Sequence, residues 1–120
     1  MTLGHEKLDV YRPSIGHVAW AYDKAEGLNG VHRPARDQWL RASQSIPLDI
    51  AEGNGKAAEA DRRRYFEIAR GSALECAAIQ DVLVVGKALD RGESRLCRPM
   101  IRERLQPEVS TVASPREAAC

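Results

Sequence analysis

Apolar residues recur along this chain at steps of three and four, the spacing that lines one face of a helix. In the first such segment Ile15, Val18, Ala19, Tyr22 and Ala25 share a face, while Asp23, Lys24 and Glu26 lie mainly off it. Gly27, Asn29 and Gly30 then end it. Proline is harmless only in a first helical turn, so Pro13 places the start of this helix near Tyr11 rather than at Leu8. No alternating run bounded by turn residues predicts a strand.

The second segment opens at Arg33-Pro34 and carries Ala35, Trp39, Ala42, Ile46 and Ile50 along one face, to about Glu52. Pro47 interrupts it. The ring removes the amide that would bond the Ser43 carbonyl and crowds that carbonyl, at a cost of about 3 kcal/mol. Because Trp39, Ile46 and Ile50 keep one register across Pro47, the pattern predicts a bend held by packing, with the Ser43 and Ser45 hydroxyls as candidate partners for the freed carbonyl. Gly53 and Gly55 are expected to form a left-handed C-cap and a tight loop.

The third segment, about Glu59 to Leu89, is the longest. Phe66, Ala69, Ala73, Ala77, Gln80 and Val84 share one face, and Tyr65, Ile68, Ile79, Leu83 and Val82 widen the apolar arc to roughly 200°, against about 100° for an ordinary surface helix. Such a helix is either central in the domain or shared with another subunit. Gly71, Ser72, Ala73, Ala77 and Ala78 permit close approach of a neighbour. A fourth helix is predicted after Ser94, with Leu96, Met100, Ile101, Leu105 and Val109, although Pro99 and Pro107 weaken the pattern. Four helices with short connectors make an all-α, antiparallel up-down-up-down bundle over residues 1–113, with residues 114–120 a disordered tail.

Composition changes this picture little. At 120 residues the chain is one domain, able to bury roughly two thirds of its unfolded surface. No apolar run approaches the roughly 20 residues of a membrane span and no signal-peptide order opens the chain, so a cytoplasmic location is expected. Cys76, Cys97 and Cys120 argue against a disulfide framework, and Cys76 reads as a small core residue. Basic and acidic residues nearly balance at 18 and 17, so any polyanion attraction has to be local.

The candidate chemistry is sparse. All three histidines, His5, His17 and His32, precede the second helix, and no Glu-x-x-His pair of a di-metal bundle occurs, so neither metal nor cofactor is expected. Gly53-Asn54-Gly55-Lys56 lacks the length and preceding strand of a phosphate-binding loop. Arg12 and His17 fit loosely the spacing of helical ribonucleases, but the simpler reading of His17 is a surface residue near a helix start, and no catalytic residue is assigned. Glu52, Glu75 and Asp49 are expected to pair with Arg70 or Arg41 in a polar network that fixes helix register. Arg62, Arg63 and Arg64 form the densest basic run, and Arg95, Arg98 and Arg102 belong to a second set. These are the candidate nucleic-acid contacts.

Arg41-Ala42, Ser45-Ile46-Pro47 and Ile50-Ala51-Glu52-Gly53, followed by Ile68-Ala69, Gly71-Ser72 and Glu75, fit the pattern R-A-x-x-S-I-P-x-N-I-A-E-G and then I-A-x-G-S-x-x-E. In this the chain resembles a bacterial family of small four-helix-bundle proteins, first described from intervening sequences of large-subunit ribosomal RNA genes and labelled S23 ribosomal proteins. Leu8-Asp9-Val10-Tyr11 resembles the family's start, so the likeness spans about residues 8 to 90. Asp49 departs from it where asparagine is usual, and Pro13 shifts the expected helix start. The resemblance implies a four-helix bundle and, from related proteins, a homopentameric ring. A more distant branch, the accessory proteins of diversity-generating retroelements, is similar and binds a reverse transcriptase and nucleic acid through a basic surface.

The expectation that follows is a non-enzymatic homo-oligomeric scaffold that engages RNA, DNA or a nucleic-acid-processing partner through arginine-rich surfaces, without strong sequence specificity. The alternatives are a protein-binding adaptor with no nucleic-acid affinity and, third, a helical ribonuclease.

Overall fold

The computed structural model describes residues 10–92, which form three α-helices: α1, Tyr11–Ala25; α2, Arg33–Asn54; and α3, Glu59–Val85. No strand occurs among the described residues. The predicted fourth helix, Arg95, Arg98, Arg102 and residues 114–120 lie outside them.

Helix α1 begins where Pro13 falls in the first turn, and buries Ser14, His17, Ala21 and Ala25. The Ser14 hydroxyl donates to the Tyr11 carbonyl at 2.6 Å. After α1, buried Leu28 and the left-handed Gly30, with φ of 62°, turn the chain through a 3-10 turn at Gly30–His32 into α2. Arg36 anchors that corner, its guanidinium donating to the Leu28 carbonyl at 3.3 Å.

Helix α2 packs along both α1 and α3, most extensively with α3. It buries Trp39, Ala42, Ser43, Ile46, Pro47, Ile50 and Gly53. The helix does not break at Pro47; it runs through to Asn54. Full burial of Trp39, Ile46 and Ile50, worth about 1.5–3 kcal/mol for each large apolar side chain, outweighs the proline's cost of about 3 kcal/mol. The serines act otherwise than expected. Ser45 donates to the Arg41 carbonyl at 3.1 Å, and Ser43 Oγ shares a buried hydrogen bond of 3.5 Å with Cys76 Sγ across the α2–α3 seam.

The expected glycine cap also has a different form. Gly53 lies inside α2 and is buried, while Gly55 has φ of −84° and is not left-handed. An ideal Cβ on Gly53 would stand 2.8 Å from Tyr65 Cβ, 3.2 Å from Phe66 Cε1 and 3.3 Å from the Arg62 carbonyl oxygen. Gly53 therefore lets the end of α2 lie directly on the start of α3. At the other end of the pair, His32 lies beside Gly86, so the two helices run antiparallel over their whole length.

Helix α3 ends at Val85, earlier than the predicted Leu89. Lys87 takes φ of 64°, the Ala88 amide donates to the Leu83 carbonyl at 2.8 Å, and the Lys87 amide donates to the Val84 carbonyl at 3.0 Å. These bonds form a Schellman motif, with lysine in the position that usually takes glycine. Leu89, beyond it, folds back into the core.

Candidate nucleic-acid interface

The four-residue connection between α2 and α3 carries Lys56, and its Ala58 is extended before α3 begins. Glu59 and Asp61 stand in the first turn of α3, where the helix dipole favours negative charge. Arg62, Arg63 and Arg64 follow, all exposed, so four cations face two acids between residues 56 and 65.

Tyr65 brings two of these charges together. Lys56 Nζ lies 5.2 Å from the centre of its ring and the Arg64 guanidinium 5.3 Å, both within cation–π range. Contact with Gly53 fixes the base of the Tyr65 side chain. Arg63 makes an i,i+4 pair with Glu59 at 4.0 Å, exposed on both sides and so worth little. Arg62 and Arg64 make no ion pair among the described residues and remain available to an anion. Neither Lys56 nor Tyr65 was singled out from the sequence as a contact. The signal was present, since an aromatic residue directly follows the arginine run.

Among the described residues the expected acidic network does not form. Glu52 and Glu75 are exposed, and Arg70 pairs at 3.9 Å with Glu67, one turn away on its own helix, which is nearer than any acid of α2. Its Nε is buried without a hydrogen-bond acceptor. Asp49 is half-buried, and burial first, then the neighbouring Glu52 charge, raises its carboxyl pKa above the ordinary value. Gly71 is exposed and Ser72 half-buried.

His17 is buried rather than on the surface. Its ring lies 5.7 Å from that of Trp20 and 6.2 Å from that of Trp39, and the two indoles meet edge to face at 5.3 Å. Arg12 is exposed and, five residues away, points about 140° around the helix, so the two do not converge as a catalytic pair. Between α1 and α2, Tyr22, Asp23, Glu26, Arg36 and Leu40 line an open groove, where Arg36 is already held by Asp37 at 3.0 Å. No group of three His, Cys, Asp or Glu residues is placed to hold a metal among the described residues. Among the described residues no helix is long and apolar enough to cross a membrane.

A family model described as 23S rRNA-intervening sequence protein matches residues 6–105. No curated protein and no solved structure matches the chain.

Proposed function

The chain belongs to the 23S rRNA-intervening sequence protein family, and from that premise we propose that it is a non-enzymatic, self-associating helical scaffold whose α2–α3 end engages the backbone of RNA or DNA. The residues beyond α3, with Leu96, Met100, Ile101, Leu105 and Val109, complete a four-helix bundle, and copies assemble as a ring of five. The observation that carries the nucleic-acid reading is the pair Lys56 and Arg64 on the Tyr65 ring, with exposed Arg62 and Arg63 directly before Arg64 on α3.

Exposed cations release counterions from a polyanion, and an aromatic ring beside them supplies a face on which an unpaired base stacks. No array of side chains for reading base edges accompanies them, so recognition is directed at the backbone and weakly sequence-specific. Repetition around a ring multiplies a modest patch. Arg95, Arg98 and Arg102 are a second set of candidate contacts in this proposal.

Fluorescence anisotropy of labelled single-stranded and duplex nucleic acid across a salt series tests it. Four phosphate contacts from one subunit predict a slope of about −3 in log K against log salt for a single strand. Replacing Arg62, Arg63 and Arg64 with alanine should flatten that slope without changing assembly. Absence of binding even at low salt would leave the protein-binding adaptor as the better reading, with the same arginines meeting an acidic partner.

A further inference from the structure

Two tyrosines of this chain are placed very differently. Tyr22, on α1, lines the open groove with Asp23, Glu26 and Arg36, and its hydroxyl accepts a hydrogen bond from Gln44 Nε2 at 2.6 Å. Tyr65, half-buried at the start of α3, makes no hydrogen bond through its hydroxyl among the described residues, and what meets its ring is charge: Lys56 from the connection before α3 and Arg64 from α3 itself.

Resting on the nucleic-acid reading above, we propose that Tyr65 makes this end of the molecule selective for unpaired strands over duplex. Its ring is the platform for one base, and Lys56 and Arg64 pass from the ring to the phosphates beside that base.

In a duplex each base is covered on both faces by its neighbours, so a surface residue reaches phosphates and sugars but no base face. An unpaired strand offers both. A surface that took phosphates alone would need cations and no aromatic ring, whereas here two cations lie within 5.3 Å of one. The exchange is downhill. An exposed cation–π contact holds a cation less firmly than charge-assisted hydrogen bonds to a phosphate do, so a strand draws the cation off the ring and uncovers the ring for its base.

The ring is also ready to receive that base. Close approach of Gly53 seats the root of the Tyr65 side chain against the end of α2, so little side-chain freedom remains to be lost on stacking. Arg62 stands three residues before Tyr65 on the same face of α3, exposed and without an ion pair among the described residues, which gives the next phosphate a partner. Because every base has a flat face, the platform selects strand state and not sequence.

Fluorescence anisotropy of the full chain with labelled oligothymidine and oligouridine strands, and with a duplex of matching length, tests the proposal at low salt. Duplex carries the denser charge, so cations alone favour it, and a preference for the strands is the signature of the ring. The wild type should bind the strands about tenfold more tightly than the duplex, and Tyr65→Leu should lose that preference while its duplex affinity stays. Tyr65→Phe should keep the preference, Lys56→Ala should weaken all probes alike, and Tyr22→Leu should bind as the wild type does. A 2-aminopurine within the oligothymidine strand reads the stack directly, its emission dimming on the wild type and on Tyr65→Phe but not on Tyr65→Leu. If duplex binds as tightly as the strands, or if Tyr65→Leu keeps both the preference and the dimming, the role of Tyr65 is wrong while nucleic-acid binding stands. If no probe binds, both fail. The wild type and Tyr65→Phe carry the emission readout even if Tyr65→Leu unfolds, and undimmed emission in both overturns the proposal.

Discussion

Gly53 of α2 lies so close to Tyr65 of α3 that a Cβ added to the glycine would stand 2.8 Å from the tyrosine Cβ. The glycine at the end of Ala51-Glu52-Gly53 is therefore a contact residue of the α2–α3 seam. The same contact positions the ring that Lys56 and Arg64 flank.

Gly53→Ala should destabilise the fold by about 1–3 kcal/mol, the usual cost of overpacking, since its nearest neighbours include the α3 backbone. Chemical denaturation would measure it. A loss no larger than that of Gly71→Ala, where a Cβ meets nothing within 4 Å, would contradict the close approach.

Lys87→Gly should stabilise the protein by about 1 kcal/mol, because Lys87 holds φ of 64°, which costs a residue with a Cβ and costs glycine little. The denaturation midpoint should rise with no change in slope. A fall in the midpoint would mean that the lysine side chain contributes more than its backbone conformation costs.

Asp49→Asn tests the electrostatics of the α2 surface. The folded-state pKa of Asp49 is raised by burial and by Glu52, so the folded chain binds this proton more tightly than the unfolded chain. Its contribution therefore falls as pH rises above the unfolded value of 3.8. The asparagine variant should be the more stable near neutrality, because the half-buried carboxylate is the costly form, and no different well below the unfolded pKa. Equal effects at both pH values would sink this account.

Cys76 should be inert toward thiol reagents in the folded protein, because burial, opposed by the Ser43 hydrogen bond and aided by Glu75, pushes its thiol up to about 11. Here too the folded state holds the proton more tightly, so stability is lost as pH rises from 9.0 toward 11. Cys76→Ala should be less sensitive to alkali over that window, by at most about 3 kcal/mol for the full shift. Rapid modification of native Cys76 in a variant lacking the other two cysteines would contradict the burial.

The helices were legible because Trp39, Ile46 and Ile50 repeat with the period of the structure they build, and that period continues through Pro47. The role of Gly53 was not, since it depends on how closely two segments cross, and no single-helix pattern contains that distance. His17 misled for a related reason: a polar residue was read as surface, yet it sits on the wheel position that faces Trp39. The sequence offers Arg70 or Arg41 as a partner for Glu52, but a long side chain pairs with what its own helix offers, and Arg70 pairs with Glu67. The positive φ at Lys87 was hidden by Gly86, which sits one residue before the turn that needs it.

The chain's two tryptophans, Trp20 and Trp39, stand edge to face on the α1–α2 seam, with His17 beside both. Intrinsic fluorescence and near-ultraviolet dichroism therefore watch one joint of the molecule. They report the docking of α1 on α2 and are nearly blind to the α2–α3 hairpin, whose helix content far-ultraviolet dichroism follows instead. If α1 undocks before the hairpin melts, the two optical signals will part, and the chain carries that gauge without a label.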